Sequence, residues 1–241
     1  MKFRSHRGGV YYTPENTMPA FRAAFAAGYE SIETDPQYTR DGVVVLMHDA
    51  SINRTCRNAD GSPIERPVYV ANSTYEELLS YDAGIAKGEA FRGTKIPRLD
   101  ELLALLDGSG TILCLDKKIP DNDMDRLFDV VAKYHAEVEF SVKDIARTKI
   151  ILERFPNARI NYDGDTKEAD LEAILSLVPR ERLSVWVYLD KPNFAWLTDR
   201  DKASPEVCAR VKKYALLGIA NVCAPEDVRE AMLLGADMIE V

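Results

Sequence analysis

Ser31-Ile32-Glu33-Thr34-Asp35, followed by Asp41-Gly42 and Val43-Val44-Val45-Leu46-Met47-His48, is the stretch that decides the fold of this chain. Residues 29–35 and 43–48 both have the apolar pattern of strands, but only seven residues separate Asp35 from Val43. A parallel crossover needs a dozen or more residues, so we expect the second strand to turn back antiparallel on an extension of the first. Asp41-Gly42 is a strong hairpin signal, and a tight turn there predicts that His48 lies opposite Thr34 or Asp35.

Strand and helix patterns alternate along the rest of the chain. The predicted strands are 2–6, 29–35, 111–116, 137–141, 158–162, 183–188, 216–221 and 236–241. The predicted helices are 14–27, 99–106, 122–135, 142–154, 167–178, 205–214 and 225–234. The first helix would begin with a Thr13 cap and Pro14 in its first turn.

Eight strands with intervening helices predict an α/β fold, a parallel (β/α)8 barrel of the TIM type that forms a single domain over 1–241. Residues 50–97 interrupt the alternation and are rich in Asn, Ser, Gly and charged residues. We expect them to form an insertion over the C-terminal mouth of the barrel, where loops build active sites.

The composition is typical of a soluble enzyme and argues against several other classes. Apolar residues make up 46% of the 241 residues, which is enough for a full core. A net charge of −8 argues against nucleic acid or an anionic membrane surface as the partner. No apolar run approaches the roughly 18 residues of a membrane span, and no signal peptide is expected before the first strand. Four scattered cysteines predict reduced thiols in a cytoplasmic protein.

Two of the three histidines, His6 and His48, lie near a close pair of carboxylates. Histidine is the side chain best suited to exchange protons near neutral pH, so both are catalytic acid–base candidates. Glu33 and Asp35 share one face of a strand, and with Asp116 at another strand end they form an oxygen-ligand set that suits Mg²⁺ or Ca²⁺. The combination predicts metal-assisted acid–base chemistry on a phosphate ester.

Basic and aromatic side chains are the candidates for holding such a substrate. Lys118, as a catalytic residue, and Arg7, as a substrate contact, would share the charge of the phosphate with the metal. Glu15 is a substrate-binding candidate, although an acid in a first turn is also an ordinary helix start. Trp186 and Trp196 would line a pocket for the alcohol, or equally well pack in the core.

Several motifs occur together in the first half of the chain. They are His6-Arg7-Gly8, Pro14-Glu15-Asn16-Thr17, Glu33-x-Asp35, Asp41-Gly42, His48-Asp49, Arg54-Thr55, Asp82-Ala83-Gly84 and Ile96-Pro97-x-Leu99. This set resembles the glycerophosphodiester phosphodiesterase family, densely over residues 4–118 and thinly afterwards. The resemblance implies a TIM-type barrel with an inserted segment, one divalent cation, and hydrolysis of glycerophosphodiesters to glycerol 3-phosphate and an alcohol. It implies His6 and His48 as acid and base, and Glu33, Asp35 and Asp116 as metal ligands.

The chain departs from the family pattern in a few places. Asp116 stands where the family usually has Glu, one methylene longer, and Gly218-Ile219-Ala220-Asn221 lacks an aromatic residue of the family. The first strand is unusually polar, and the sequence stops at Val241, where the family normally continues. An uncovered apolar face after the eighth strand would favour a covering partner, which makes a homo-oligomer one expectation.

Two other functions compete with the metal-dependent phosphodiesterase. A metal-independent, phospholipase-like phosphodiesterase would use the two histidines alone, and the three carboxylates argue against it. A non-catalytic binding barrel would have lost activity through Asp116 and the altered late strands, and the two histidines argue against that. We therefore expect a small-molecule glycerophosphodiester as the substrate, with its alcohol contacted by residues 50–97 and by Trp186 and Trp196.

Overall fold

The computed structural model describes residues 1–191 and 202–241. Its strands are β1 (Lys2–Ser5), β2 (Ser31–Thr34), β3 (Pro36–Tyr38), β4 (Val44–Leu46), β5 (Arg57–Asn58), β6 (Tyr81–Asp82), β7 (Ile112–Leu115), β8 (Glu137–Val142), β9 (Arg159–Tyr162), β10 (Leu183–Tyr188), β11 (Leu216–Ala220) and β12 (Met238–Glu240). Its α-helices are α1 (Met18–Ala26), α2 (Tyr75–Leu78), α3 (Leu99–Leu106), α4 (Asp125–Val131), α5 (Ile145–Arg154), α6 (Glu168–Leu175), α7 (Pro205–Tyr214) and α8 (Pro225–Leu233). No helix within these residues has both the length and the apolar content that a membrane span requires.

Eight strands close into a parallel barrel in the order β1-β12-β11-β10-β9-β8-β7-β2. Each of them overlaps one of the eight segments predicted as strands, and α-helices lie between most successive strands. The predicted (β/α)8 class is therefore confirmed. The chain divides into two compact units. The N-terminal unit is Ser5–Glu137, and the C-terminal unit is Met1–Arg4 together with Val138–Val241.

The C-terminal unit encloses a polar network inside its apolar core. The guanidinium of Arg4 forms an ion pair with Glu139, donates to Asn161 Oδ1 at 2.9 Å and lies 4.0 Å from the ring centre of Trp186. Ser184 donates to Glu139 Oε1 at 2.9 Å and accepts from Trp186 Nε1 at 3.0 Å. All five side chains are buried, and we call them the closed network. They explain the polar first strand, because Arg4 has its partners inside this unit.

In the N-terminal unit, β2, β7 and α3 form within the segments that the sequence predicts for them. β2 pairs with β7 in parallel, with Ser31 opposite Ile112. The helix α3 presents Leu99, Leu102, Leu103 and Leu106 on one face, and all four are fully buried. This spacing of three and four residues is the amphipathic pattern that lets a short helix gain its stability from tertiary packing.

The hairpin predicted after the second strand is present. β3 and β4 pair antiparallel, with Pro36 opposite Leu46. The amide of Met47 donates to the carbonyl of Asp35 at 2.9 Å, so the pairing continues past both strands. Gly42 has a φ of 81° in the turn, a conformation that glycine adopts without strain. The hairpin therefore returns the chain to the end of β2 and places His48 one residue beyond the Met47–Asp35 pair.

The inserted segment 50–97 contains only short elements, among them β5, β6 and α2. With two hairpin residues it forms an apolar cluster of its own: Val45, Met47, Ile52, Cys56, Val70, Leu78, Ala83 and Ile96. The ammonium group of Lys87 donates to the carbonyl of Val10 at 2.6 Å, which ties the insertion to the loop after β1. The insertion therefore packs on the hairpin and reaches the segment that follows the first strand.

The first helix begins later than the sequence predicts. Its first residue is Met18, so the predicted start with a Thr13 cap and Pro14 is wrong. The physical reason is Asn16, whose φ of 53° is left-handed and incompatible with a continuing right-handed helix. As a consequence, Glu15 and Asn16 lie in a loop, and their side chains point to partners outside α1.

Candidate active site

The N-terminal unit contains eight of the ten side chains that the sequence marks as site candidates. They are His6, Arg7, Glu15, Glu33, Asp35, His48, Asp116 and Lys118. Most of them lie within or directly after β1, β2, β4 and β7, near the C-terminal ends of these strands. In (β/α)8 barrels that edge of the strands is where active sites are built.

A tight turn after β1 brings the Arg7 backbone to the carboxylates. Arg7 has a φ of 51°, and the following Gly8 has a φ of 80°. A Cβ atom on Gly8 would lie 2.9 Å from the Ala20 Cβ and from a ring carbon of Phe21, so only glycine fits against α1. The turn directs the amide of Arg7 toward Glu33, where it donates to Oε2 at 2.9 Å.

Asp35 is the most enclosed of the predicted metal ligands, with 1% of its surface exposed. Asn16 donates from Nδ2 to Asp35 Oδ2 at 2.8 Å and accepts from the Thr34 hydroxyl at 2.7 Å. The Nε atom of Arg7 lies 3.4 Å from the same carboxylate oxygen. The left-handed backbone of Asn16 thus places an amide side chain that fixes the orientation of Asp35.

Asp116 follows β7 and is surrounded by two lysines. The ammonium group of Lys118 lies 3.6 Å from Asp116 Oδ2 and 3.5 Å from Asp35 Oδ1, and that of Lys117 lies 3.4 Å from Asp116 Oδ1. Burial would raise the pKa of Asp116, but the neighbouring lysines hold it below its usual value. Lys118 therefore contacts both carboxylates at the end of the β2–β7 pair.

The chemistry of this carboxylate set fits a divalent cation. Asp35 and Asp116 both lie close to a single cationic atom, the Lys118 Nζ. Glu33 belongs to β2, the strand that Asp35 directly follows. Carboxylate oxygens are the ligands that Mg²⁺ and Ca²⁺ prefer in proteins. Within the described residues, no three His, Cys, Asp or Glu side chains are already arranged as a metal cage.

His48 is held by its neighbour in sequence. Its Nδ1 lies 2.6 Å from Asp49 Oδ1, and the other oxygen of Asp49 accepts from Arg54 Nε at 2.5 Å. The two terminal nitrogens of Arg54 donate to Glu15 at 2.8 and 2.7 Å, and Glu15 also accepts from Arg7 at 3.0 Å. We call these five side chains the open network. It is an unbroken series of polar contacts that links Arg7, Glu15, Arg54, Asp49 and His48.

The two carboxylates of the open network stay ionised over most of the pH range. Burial alone would raise the pKa of Glu15, but hydrogen bonds and charge from Arg54 and Arg7 lower it to about 2. Burial also opposes the ionisation of Asp49, but hydrogen bonds from Arg54 and His48 lower its pKa to about 2. Both groups are therefore acceptor-only carboxylates at neutral pH.

Three residues that form hydrogen bonds in this site had no role predicted from the sequence. Asn16, Asp49 and Arg54 lie in the quoted motifs, but the sequence does not show which side chains they contact. The position of Asp49 directly after His48 is the one available signal, since histidines in active sites are often oriented by a carboxylate. The contact of Arg54 with Glu15 joins segments 39 residues apart and depends on the tertiary fold.

Of the two aromatic candidates, the structure describes Trp186. Trp186 belongs to the C-terminal unit, where it is 5% exposed and contacts Arg4 and Ser184. This burial agrees with the core-packing alternative that the sequence left open. Trp196 lies outside the described residues.

Comparison with known proteins agrees with the barrel and with the motifs at its rim. The family model of glycerophosphoryl diester phosphodiesterases matches residues 6–218. The chain belongs to this family. The glycerophosphoryl diester phosphodiesterase family generally depends on a divalent metal.

Individual relatives match this chain over different shares of its length. A glycerophosphodiester phosphodiesterase from Caldanaerobacter subterraneus subsp. tengcongensis is 38% identical over 114 residues, which are 47% of this chain and 44% of that protein. The chain thus spans less than half the length of the curated relatives it matches. A solved glycerophosphoryl diester phosphodiesterase from Parabacteroides distasonis has a TM-score of 0.74 at 25% identity, covering 99% of this chain and 81% of that one.

A phosphodiesterase from Oleispira antarctica, solved with its product sn-glycerol 3-phosphate, has a TM-score of 0.79. It covers 100% of this chain and 92% of that one, at 18% identity. At this identity the likeness establishes a shared barrel fold and leaves the substrate to be argued from the side chains.

Proposed function

We propose that this protein hydrolyses glycerophosphodiesters to glycerol 3-phosphate and an alcohol. The observation that supports this most is the assembly, within the N-terminal unit, of two histidines, three carboxylates and the cations Arg7 and Lys118 at four strand ends. A phosphodiester needs all three kinds of group: charge on its phosphate, an acceptor for the proton of the nucleophile, and a donor to the leaving alcohol. Membership of the phosphodiesterase family points to the same reaction.

Glu33, Asp35 and Asp116 would hold one divalent cation, Mg²⁺ or Ca²⁺. When bound, that cation would supply positive charge to the phosphoryl oxygens and acidify an oxygen nucleophile. Asn16 and the amide of Arg7 fix the orientation of Asp35 and Glu33 before any substrate arrives. Asp116 is shorter than the glutamate usual in the family, and Lys117 and Lys118 keep it ionised and able to act as a ligand.

Arg7 and Lys118 are the proposed phosphate contacts. Both are partly buried, with side-chain exposures of 15% and 27%, and both lie within 3.5 Å of Asp35. Positive charge held in place by such contacts does not have to reorganise when negative charge develops on the phosphate in the transition state. Arg7 is also held by Glu15, so its guanidinium is positioned from two sides.

His6 and His48 are the proposed acid and base. One removes a proton from the attacking oxygen, and the other donates a proton to the leaving alcohol. For His48 the reacting atom is Nε2, because Asp49 occupies Nδ1. The attacking oxygen is that of water or of the glycerol hydroxyl next to the phosphate, and the second route passes through a cyclic glycerol phosphate. Each proton transfer of this kind contributes about 10²–10⁴-fold to the rate.

The experiment is product analysis by ³¹P NMR with glycerophosphocholine as the substrate, with Mg²⁺, with Ca²⁺ and with EDTA. We expect glycerol 3-phosphate and choline with a divalent cation, and no turnover with EDTA. Phosphocholine and glycerol as the products would contradict the proposed bond cleavage. Full activity in EDTA would favour the metal-independent phosphodiesterase instead, and a transient cyclic phosphate signal would assign the glycerol hydroxyl as nucleophile.

A further inference from the structure

Asp49, Arg54 and Glu15 form a continuous support behind His48, and none of them is one of the proposed acid–base groups. Each link is short: 2.6 Å from His48 to Asp49, 2.5 Å from Asp49 to Arg54, and 2.7 and 2.8 Å from Arg54 to Glu15. The three residues come from the hairpin end, the insertion and the loop before α1. They therefore join three segments of the N-terminal unit at one guanidinium.

The chemistry of Asp49 determines where the proton of a neutral His48 lies. An ionised carboxylate can only accept a hydrogen bond, so the ring nitrogen that faces it must be the one that carries hydrogen. Asp49 remains ionised at neutral pH because its pKa is about 2. Nδ1 of His48 then donates to Asp49, and Nε2 keeps the lone pair that can accept a proton.

Arg54 restrains the carboxylate that sets this tautomer. A carboxylate held at one oxygen only can rotate, whereas Asp49 is held at one oxygen by His48 and at the other by Arg54. Arg54 cannot easily follow a rotation of Asp49, because its two terminal nitrogens are bound to Glu15 in a fork geometry. Glu15 is itself 14% exposed and held by Arg7.

An isolated surface ion pair would not have this effect. Such pairs are mobile and contribute little to holding a side chain in place. Arg40 and Glu77 are an example in this chain, since the side chains of both are more than half exposed. Arg54 differs because three of its nitrogens are engaged by two carboxylates from separate segments.

We infer that Asp49 and Arg54, anchored by Glu15, are positioning residues that hold His48 as the Nδ1–H tautomer with Nε2 directed to the substrate. This assigns Glu15 a role behind the histidine, in place of the substrate contact expected from the sequence. The effect on turnover rests on the proposed function, whereas the tautomer of His48 does not depend on it.

The first test is ¹⁵N-histidine NMR of the full chain at pH 8.5. The sequence has only three histidines, so His48→Ala assigns the His48 signals directly. We expect the pyrrole-type nitrogen of His48 to be Nδ1 in the wild type, and this preference to be lost in Asp49→Ala. An Nε2–H tautomer in the wild type would overturn the inference, whatever the enzyme does to substrates.

The second test is steady-state kinetics on glycerophosphocholine. Asp49→Ala should lower kcat on the order of 10²-fold and Arg54→Ala about tenfold, with KM within about threefold, because the substrate contacts remain. Arg54→Lys should resemble Arg54→Ala, since lysine cannot reproduce the fork. Rescue by lysine would show a role of charge alone, and an unchanged kcat in both alanine variants would overturn the positioning role.

Arg40→Ala is the matched control, an arginine of similar exposure in an ordinary surface pair, and it should leave kcat unchanged. Failure of the proposed function looks different from failure of this inference. A wild type that hydrolyses no glycerophosphodiester contradicts the function, and the NMR test then decides the inference alone. An active wild type with an Nε2–H tautomer, or with alanine variants of normal kcat, contradicts the inference alone.

Discussion

The closed network and the open network, both formed by described residues and each in its own compact unit, differ in their access to water. In the closed network the side chains of Arg4 and Glu139 are 2% and 5% exposed. In the open network those of Arg54, Asp49 and His48 are 48%, 30% and 32% exposed. The two units use the same pairing chemistry, but only the open network presents ionisable groups to a molecule in solution.

The difference leads us to expect that Arg4 contributes to stability, whereas Arg7 and Arg54 contribute to turnover. Arg4 pairs with Glu139 and donates to Asn161 in its own unit, so these partners compensate its charge within the core. In the open network, Arg54 binds the carboxylate that holds His48, and Arg7 lies 3.4 Å from Asp35. Removing a partner should therefore affect folding in the closed network and turnover in the open one.

The largest expected effect comes from breaking the closed network. Glu139→Ala removes the carboxylate that forms a buried ion pair with Arg4, and we expect the free energy of unfolding to fall by about 3–5 kcal/mol. Urea denaturation measures this loss. Glu89→Ala is the control, because Glu89 pairs with Arg92 while 74% exposed, and its unfolding midpoint should not move. A Glu139→Ala variant as stable as this control would show that the closed network contributes nothing to folding.

The next effect concerns the predicted metal ligands. Asp116→Asn removes a charged ligand, so we expect the Mg²⁺ concentration that gives half-maximal turnover to rise at least about tenfold. Asp116→Glu restores the residue usual in the family and should be tolerated. Metal titrations of kcat measure both. Equal metal dependence of the wild type and Asp116→Asn would remove Asp116 from the ligand set.

A smaller effect is expected at Asn16, which orients Asp35 without being a ligand. Asn16→Gly removes the hydrogen bond to Asp35 but keeps a residue that tolerates the φ of 53°. We expect about tenfold weaker metal affinity, measured by isothermal titration, with kcat at saturating metal reduced only a few-fold. Unchanged metal affinity would mean that Asp35 keeps its orientation without this amide.

The smallest effect is the contribution of the open network to stability, and it has a defined pH dependence. The pKa of Glu15 in the folded state is about 2, below its usual value near 4.5. A depressed pKa stabilises the fold above the unfolded value, and this stability is lost as the pH falls toward 2. Glu15→Gln should therefore lower the free energy of unfolding by no more than about 1 kcal/mol at pH 6, because water screens the network. The difference in urea midpoint should vanish between pH 4.5 and 2, and a difference that grows in acid would contradict this sign.

Much of the fold could be predicted from short-range patterns. Apolar strand runs and amphipathic helices depend on spacing within the chain, so the eight barrel strands and the bounds of α3 and α7 follow from the sequence. The hairpin after β2 follows from chain length alone, because seven residues cannot make a parallel crossover. The start of α1 could not be predicted, since the left-handed backbone of Asn16 is set by its tertiary hydrogen bonds to Asp35 and Thr34.

In the candidate site, too, some residues could be placed from the sequence and others could not. Strand parity predicts Glu33, Asp35 and Asp116 at the ends of two neighbouring strands, and the length of the hairpin predicts that His48 returns to the end of β2. The support behind His48 could not be predicted, because Arg54 lies in the insertion and meets Glu15 only after the segment has folded. Burial of Trp186 depends on Arg4 and Gly218, whose missing side chain leaves room for the indole ring.

The most direct test of the central claim, that the Ser5–Glu137 unit performs the chemistry through its histidines, is the kcat of His6→Ala and His48→Ala on glycerophosphocholine. Both side chains are only partly buried, so their loss should leave the free energy of unfolding within about 1 kcal/mol of the wild type. We expect kcat to fall at least about 10²-fold in each variant. A folded variant at either position that keeps nearly normal kcat would contradict the claim for that histidine.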